Sequence, residues 1–178
     1  MIAPEKEYCF FLVPEEPLRS QLNPIIEKLA ADYNAVVFVP HVTAYVCSSN
    51  DKEAHHIGDL ITRTFAPIEL TPECVDCTDH FYKTLFVQFR ESQQLRKMSD
   101  AVPAECAWPS AYELNSHLSL LYQRIPHEER QRLAVELTPI VPQGPYRLET
   151  LWVVEADQAE SCDTVRRWRK VYEGKLLA

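Results

Sequence analysis

What most restricts the fold of this chain is that it resembles itself, its first half lying over its second at an offset of 76 residues. Tyr8 to Val13 (YCFFLV), an apolar run of strand type, falls on Thr84 to Phe89 (TLFVQF). His41-Val42-Thr43-Ala44 falls on His117-Leu118-Ser119-Leu120. Between these runs each half has a helical stretch. In Leu18 to Tyr33 the residues Leu18, Leu22, Ile25, Ile26, Leu29 and Tyr33 recur at helical spacing, and Glu91 to Ala101 is followed at the same spacing by Val102 after Leu95 and Met98. Pro24 either kinks the first of these or, behind Asn23, opens it. A second helix follows each histidine run, over Asp51 to Phe65 and His127 to Leu137, and strand candidates close the halves near Ile68 to Val75 and Tyr146 to Glu155. Each half therefore reads strand, helix, strand, helix, strand. That pattern predicts a duplicated α+β architecture with two sheets related by a pseudo-two-fold axis.

The 178 residues, 46% of them apolar, fit one domain over 1–178 made of two lobes, and three glycines against thirteen prolines leave no flexible linker between them. The apolar run near the N-terminus is short, follows acidic residues and ends at Pro14 and two glutamates, so it reads as neither a secretory signal nor a membrane span. A cytoplasmic protein is expected, with Cys9, Cys47, Cys74, Cys77, Cys106 and Cys162 mostly as free thiols. A formal charge of −8 repels polyanions, which argues against a long nucleic acid gripped over many phosphates. A small anion held by a few oriented donors is compatible with that charge. A monomer is favoured.

Residues two apart in a strand share a face, so His41 and Thr43 lie together opposite Val42 and Ala44, and His117 and Ser119 lie together opposite Leu118 and Leu120. The apolar faces belong to the core. The polar faces, related by the pseudo-two-fold, can line one groove holding two imidazoles and two hydroxyls. Such a set suits hydrolysis of a strained phosphate diester. One neutral imidazole takes a proton from water while the other, protonated, supplies one to the departing alkoxide, both states being within reach of an ordinary pKa near ~6.5. The Thr43 and Ser119 hydroxyls are candidates to hold the non-bridging oxygens.

PHVTAYV and SHLSLLY resemble the paired His-x-Thr/Ser signatures of the 2H phosphoesterase superfamily, in particular its cyclic phosphodiesterase branch. The similarity extends over nearly the whole chain, through FFLVPEE, the helix after it and the spacing of the two histidine motifs. It implies a bilobal fold with antiparallel sheets facing a central groove and helices on the outer faces. It also implies opening of cyclic phosphates, either nucleoside 2′,3′-cyclic phosphates or ADP-ribose 1″,2″-cyclic phosphate, with no metal or other cofactor. Residue by residue, His41 and His117 match the catalytic histidines, and Thr43 and Ser119 the phosphate-binding hydroxyls. Tyr122 matches a tyrosine after the second motif, although strict alternation sets it opposite His117, so it needs a bulge or the strand end to reach the groove. Tyr82, or Phe81 beside it, is placed to stack on a base. The alternatives are an RNA-end 2′,3′-cyclic phosphodiesterase, a protein similar to 2′-5′ RNA ligases, or a non-catalytic nucleotide-binding relative.

Three further features point elsewhere. Cys74-x-x-Cys77 with His80 has partial zinc spacing but no second pair, so packing cysteines are expected. Arg166, Arg167, Arg169 and Lys170 around Trp168 read as a solvated face, and Pro103 to Asn115, rich in turn residues and aromatics, is a loop near the groove.

Overall fold

The computed structural model describes residues 6–157 and 159–177. The first half of the chain forms β1 (Lys6–Pro14), α1 (Leu18–Asp32), β2 (Val42–Ser49), α2 (Asp51–Thr64), β3 (Ile68–Leu70) and β4 (Pro72–Cys77). The second forms β5 (Leu85–Phe89), α3 (Gln93–Glu105), the two-residue β6 (Trp108–Pro109), β7 (His117–Leu121), α4 (His127–Leu137) and β8 (Tyr146–Ala156). After these come α5 (Cys162–Arg166) and β9 (Arg169–Lys175), neither expected from the sequence.

Local chemistry explains several boundaries. The Asn50 side chain accepts from the Glu53 amide to cap α2, with Asp51 and Glu53 in the first turn, and Ser92 caps α3 through the Leu95 amide. Helix α1 contradicts the idea that Asn23-Pro24 opens it, because it begins at Leu18 and continues through Pro24. An interior proline costs ~3 kcal/mol. Here it is tolerated because Leu22 on one side and Ile26, Leu29 and Ala30 on the other are all buried. Helix α3 likewise runs past Ala101, through Pro103, to Glu105.

The strands pair antiparallel in the order β3-β8-β1-β2-β7-β5-β4, with β6 beside β2 and β9 beside β8. Around the β2/β7 centre the order β8-β1-β2 mirrors β4-β5-β7, with β3 unmatched at its edge, and each lobe takes its third strand from the other half: β8 pairs with β1, and β4 with β5. The strand expected near Ile68 to Val75 is accordingly split at Thr71, β3 going to one edge and β4 to the other. The two sheets are continuous, joined by a single backbone pair, Val42 with Leu118. Register also refines the repeat. Phe11 pairs with Thr43 and Phe86 with Ser119, so Phe11 corresponds to Phe86, one residue short of the offset that relates the histidine strands. Both strand pairs carry a register shift beside this position.

One face of the sheet carries Tyr8, Phe10, Leu12, Val42, Ala44, Leu118, Leu120, Leu148 and Leu151 into the main core with the helices. Helices α1 and α3 exchange lobes as the strands do, α1 packing on β7 and α3 on β2. The opposite face carries a small cluster of Cys9, Phe11, Val154 and Ala156, against which Trp168 packs. The basic segment before and within β9 is exposed and tied down: Arg169 bonds Asp51 at 2.8 Å and also Glu155, and the Lys170 ammonium lies 4.1 Å from the Trp152 ring centre. None of the six cysteines is in a disulfide, and Cys77 packs against the core. Among the described residues no helix is long and apolar enough to cross a membrane.

Helix α2 meets β9 at Gly58, where an added Cβ would lie 2.6 Å from the Tyr172 ring. The Tyr172 hydroxyl is in turn hydrogen-bonded to Thr62 on the same helix at 2.8 Å. Alanine normally improves a helix interior by ~1 kcal/mol over glycine. At this position the clash outweighs that gain, and Gly58→Ala is expected to lower stability by ~1–3 kcal/mol. Urea unfolding checks it; an unchanged or raised midpoint would refute the packing argument.

Candidate active site

The geometry of the site begins with the pair that joins the lobes. Val42 and Leu118 are both fully buried on the core face, which turns the residues on either side of each to the other face. In antiparallel register this sets His41 across from Ser119 and Thr43 across from His117. Because the two strands share only this one backbone pair, they diverge beyond it and a cleft of about 720 Å³ opens between the lobes. His41, Thr43, His117, Ser119, Tyr82 and Tyr122 all line it. These six candidates are thus in one place, whereas Phe81, the alternative to Tyr82, is not in the lining.

The two imidazoles are held in the same way. Nδ1 of His41 lies 2.7 Å from the Val39 carbonyl oxygen, and Nδ1 of His117 lies 2.7 Å from that of Asn115. A carbonyl only accepts, so Nδ1 carries hydrogen in both rings and Nε2 is the nitrogen free to exchange a proton. Each ring also rests on a phenylalanine of the neighbouring strand, Phe11 stacked on His41 at 3.7 Å between centroids and Phe86 edge-on to His117 at 5.5 Å. These two phenylalanines, related by register, were invisible as a pair in the sequence because the offset there differs by one.

Burial pulls the pKa of His41 down to about 4, with the Val39 carbonyl opposing the shift and the charge of a protonated His117 adding to it. Burial likewise brings His117 to about 4, opposed by the Asn115 carbonyl and reinforced by Lys83 and His80. Both rings are therefore neutral at pH 7. An entering phosphate anion favours the imidazolium form of a neighbouring ring, so one of two such imidazoles can become an acid while the other stays a base.

The surroundings break the symmetry. The Tyr122 hydroxyl is 3.2 Å from Nε2 of His41, and burial holds that phenol protonated, so it donates to the ring of the other lobe. It gets there because β7 ends at Leu121 and the chain leaves the ladder, which is the strand-end solution to the alternation problem. Tyr82 lies in a 3-10 turn, Phe81–Lys83, with its ring stacked on Trp168 at 5.8 Å and its hydroxyl bonded to the Ala159 carbonyl. Phe81 is buried core. Ser119 donates to the Tyr82 carbonyl at 2.7 Å, while the half-buried Thr43 hydroxyl has no protein partner among the described residues. The segment after α3 is pinned rather than loose. Tyr45 donates to the Ser110 carbonyl, and Tyr112 to that of Thr43 at 3.0 Å. Lys83, Trp168 and Tyr112 line the cleft without having been singled out for it, since an isolated lysine or aromatic carries no motif.

Among the described residues no three His, Cys, Asp or Glu side chains form a group that could hold a metal ion. Cys74 and Cys77, three apart in β4, have opposite strand parity, which is incompatible with a shared ligand site on a regular strand.

Comparison with protein-family models and with curated protein sequences finds no match. Among solved structures, E. coli LigT complexed with 3′-AMP aligns at a TM-score of 0.62 and 14% identity, over 97% of this chain and 99% of that one. TT0787 of Thermus thermophilus aligns at 0.62 and 12%, over 96% and 97%. Both alignments span nearly the whole of this chain, which therefore has the fold of LigT and of TT0787.

Proposed function

We propose that the protein is a phosphoric diester hydrolase, a metal-independent cyclic phosphodiesterase. It opens a small cyclic phosphate, ADP-ribose 1″,2″-cyclic phosphate or a nucleoside 2′,3′-cyclic phosphate, to a phosphomonoester. The observation that carries this reading is the pair of imidazoles fixed by identical Nδ1-to-carbonyl bonds on two abutting strands of one cleft. In the reaction, Nε2 of one ring takes a proton from water as its oxygen bonds to phosphorus. The bond from phosphorus to one ring oxygen breaks, and that oxygen takes the proton held on Nε2 of the other ring. One imidazole gains the proton the other loses, and the product carries the monoester. The Thr43 hydroxyl is free to donate to a non-bridging oxygen, and Ser119 does so by turning from the Tyr82 carbonyl.

The cleft supports a small substrate over a polymer. Its lining sets the single Lys83 against Glu7 and Asp79, which makes no basic channel for an RNA end. LigT has been crystallised with ATP and with NADP+, at TM-scores of 0.59 and 0.55 to this chain, and ligands of that size suit a cleft of about 720 Å³. Both imidazoles being intact argues for an enzyme over a binding relative. The two lobes act as one domain, in a cytoplasmic monomer of nucleotide or RNA metabolism.

His41→Ala and His117→Ala are each expected to lower turnover ~10²–10⁴-fold with the fold kept. The assay is a panel of cyclic phosphates in EDTA, with circular dichroism as the fold control. Near-normal turnover by either variant, or none by the wild type on any member, sinks the mechanism.

A second expectation concerns pH. Both rings have pKa values of about 4, against an ordinary 6.5, so the folded state binds fewer protons than the unfolded one. Their contribution to stability is complete above pH ~6.5 and is lost as the pH falls toward ~4. Ring-proton NMR shifts should locate both titrations near 4, and denaturation midpoints should drop across the same window. Midpoints that hold steady from pH 7 to 4 would contradict it.

A further inference from the structure

The pseudo-symmetry of the cleft fails most at its charged groups. The His41 end is aromatic, with Phe11, Trp168, Tyr122 and Tyr82 within ring contact of one another, and the His117 end has a lysine instead. Lys83 is half-buried and lines the cleft. Its ammonium lies 4.2 Å from the Phe86 ring centre, and the same ring is the one edge-on to His117. Lys6, Lys28, Lys170 and Lys175 each have a carboxylate at ion-pair distance; Lys52, Lys83 and Lys97 have none among the described residues, and of these three Lys52 and Lys97 are exposed while Lys83 is half-buried. Asp76 acts on it only at longer range, and burial holds its pKa below the ordinary lysine value. A lysine so placed is partly stripped of water with no anion to compensate.

Its backbone is anchored by two threonine hydroxyls. Thr78 donates to the carbonyl of Lys83 itself and Thr84 to that of Gln123, two residues past β7, and both bonds persist when Ser119 turns from the Tyr82 carbonyl to the substrate. The turn that carries the lysine is therefore fixed to the strand that carries His117 and Ser119. We infer that Lys83 is the cation that binds the phosphate of the substrate and of the monoester product at the His117 end of the cleft. This rests on the function proposed above and adds a specificity to it. The anionic end of the ligand lies toward β7 and the Phe81–Lys83 turn, and its uncharged part lies toward the aromatic end.

The test uses inorganic phosphate and 3′-AMP as probes, titrated by calorimetry into the full chain and into Lys83→Met and Lys83→Arg. Removing the charge should weaken binding of both probes by about tenfold or more, as expected for loss of a charge-assisted contact, and arginine should restore most of it. Raising the salt concentration should weaken the wild type and leave Lys83→Met nearly unchanged. Thermal unfolding of each variant checks the fold, and Lys83→Gln serves if methionine does not fold. Equal affinities for wild type and Lys83→Met, or failure of arginine to rescue a well-folded Lys83→Met, overturns the role of Lys83 alone. A wild type that binds neither probe overturns the reading of the cleft as a phosphate site, and this proposal with it.

Discussion

The site depends on one backbone pair, Val42 with Leu118. These two side chains are fully buried, and their burial decides which way their neighbours turn. Had either strand slipped by a residue, its histidine and hydroxyl would have gone into the core and its apolar residues into the cleft, at the desolvation cost of an unpaired imidazole. That a single pair suffices follows from what lies behind it. The main core takes side chains from both lobes, and α1 and α3 each pack on the central strand of the opposite half. The strands therefore need not pair further, and their divergence leaves the space in which a ligand fits.

The two halves hold their imidazoles alike and differ in what surrounds each ring. Each ring has a carbonyl two residues back that fixes its tautomer and a phenylalanine from the adjacent strand that limits its tilt. Beyond those, Tyr122 is committed to His41, and Lys83 raises the local positive potential only at His117. The two ends of the cleft thus differ chemically. The exchange of third strands between halves ties the copies together, so that neither lobe can complete its sheet without the other.

Much of this was legible in the chain. The order of elements in each half and the polar parity of His41 with Thr43 and of His117 with Ser119 follow from spacing, since the period of a strand or helix is a local property; that Tyr122 reaches the groove was suggested by the family resemblance alone, against strict alternation. The continuation of α1 through Pro24 was not, because a helix crosses a proline only when burial on both sides offsets the lost bond. Nor was the outcome of the split at Thr71: Pro72 marks a strand start, but nothing local sends the two pieces to opposite edges of the sheet. The correspondence of Phe11 with Phe86 was masked by register shifts that change the offset by one.

Residue order and composition were enough to read the same order of elements in each half, to place an imidazole and a hydroxyl together on one strand face of each, and to show a net charge of −8. These properties are written in spacing and charge, which act over a few residues or over the whole chain. It took the folded chain to settle that β8 completes the first lobe and β4 the second, that Tyr122 serves the histidine of the other half, and that Lys83 lies by His117 without a counter-ion among the described residues. Such contacts join residues far apart in the chain. What selects them is the joint burial of both apolar faces, a condition that no local stretch can express.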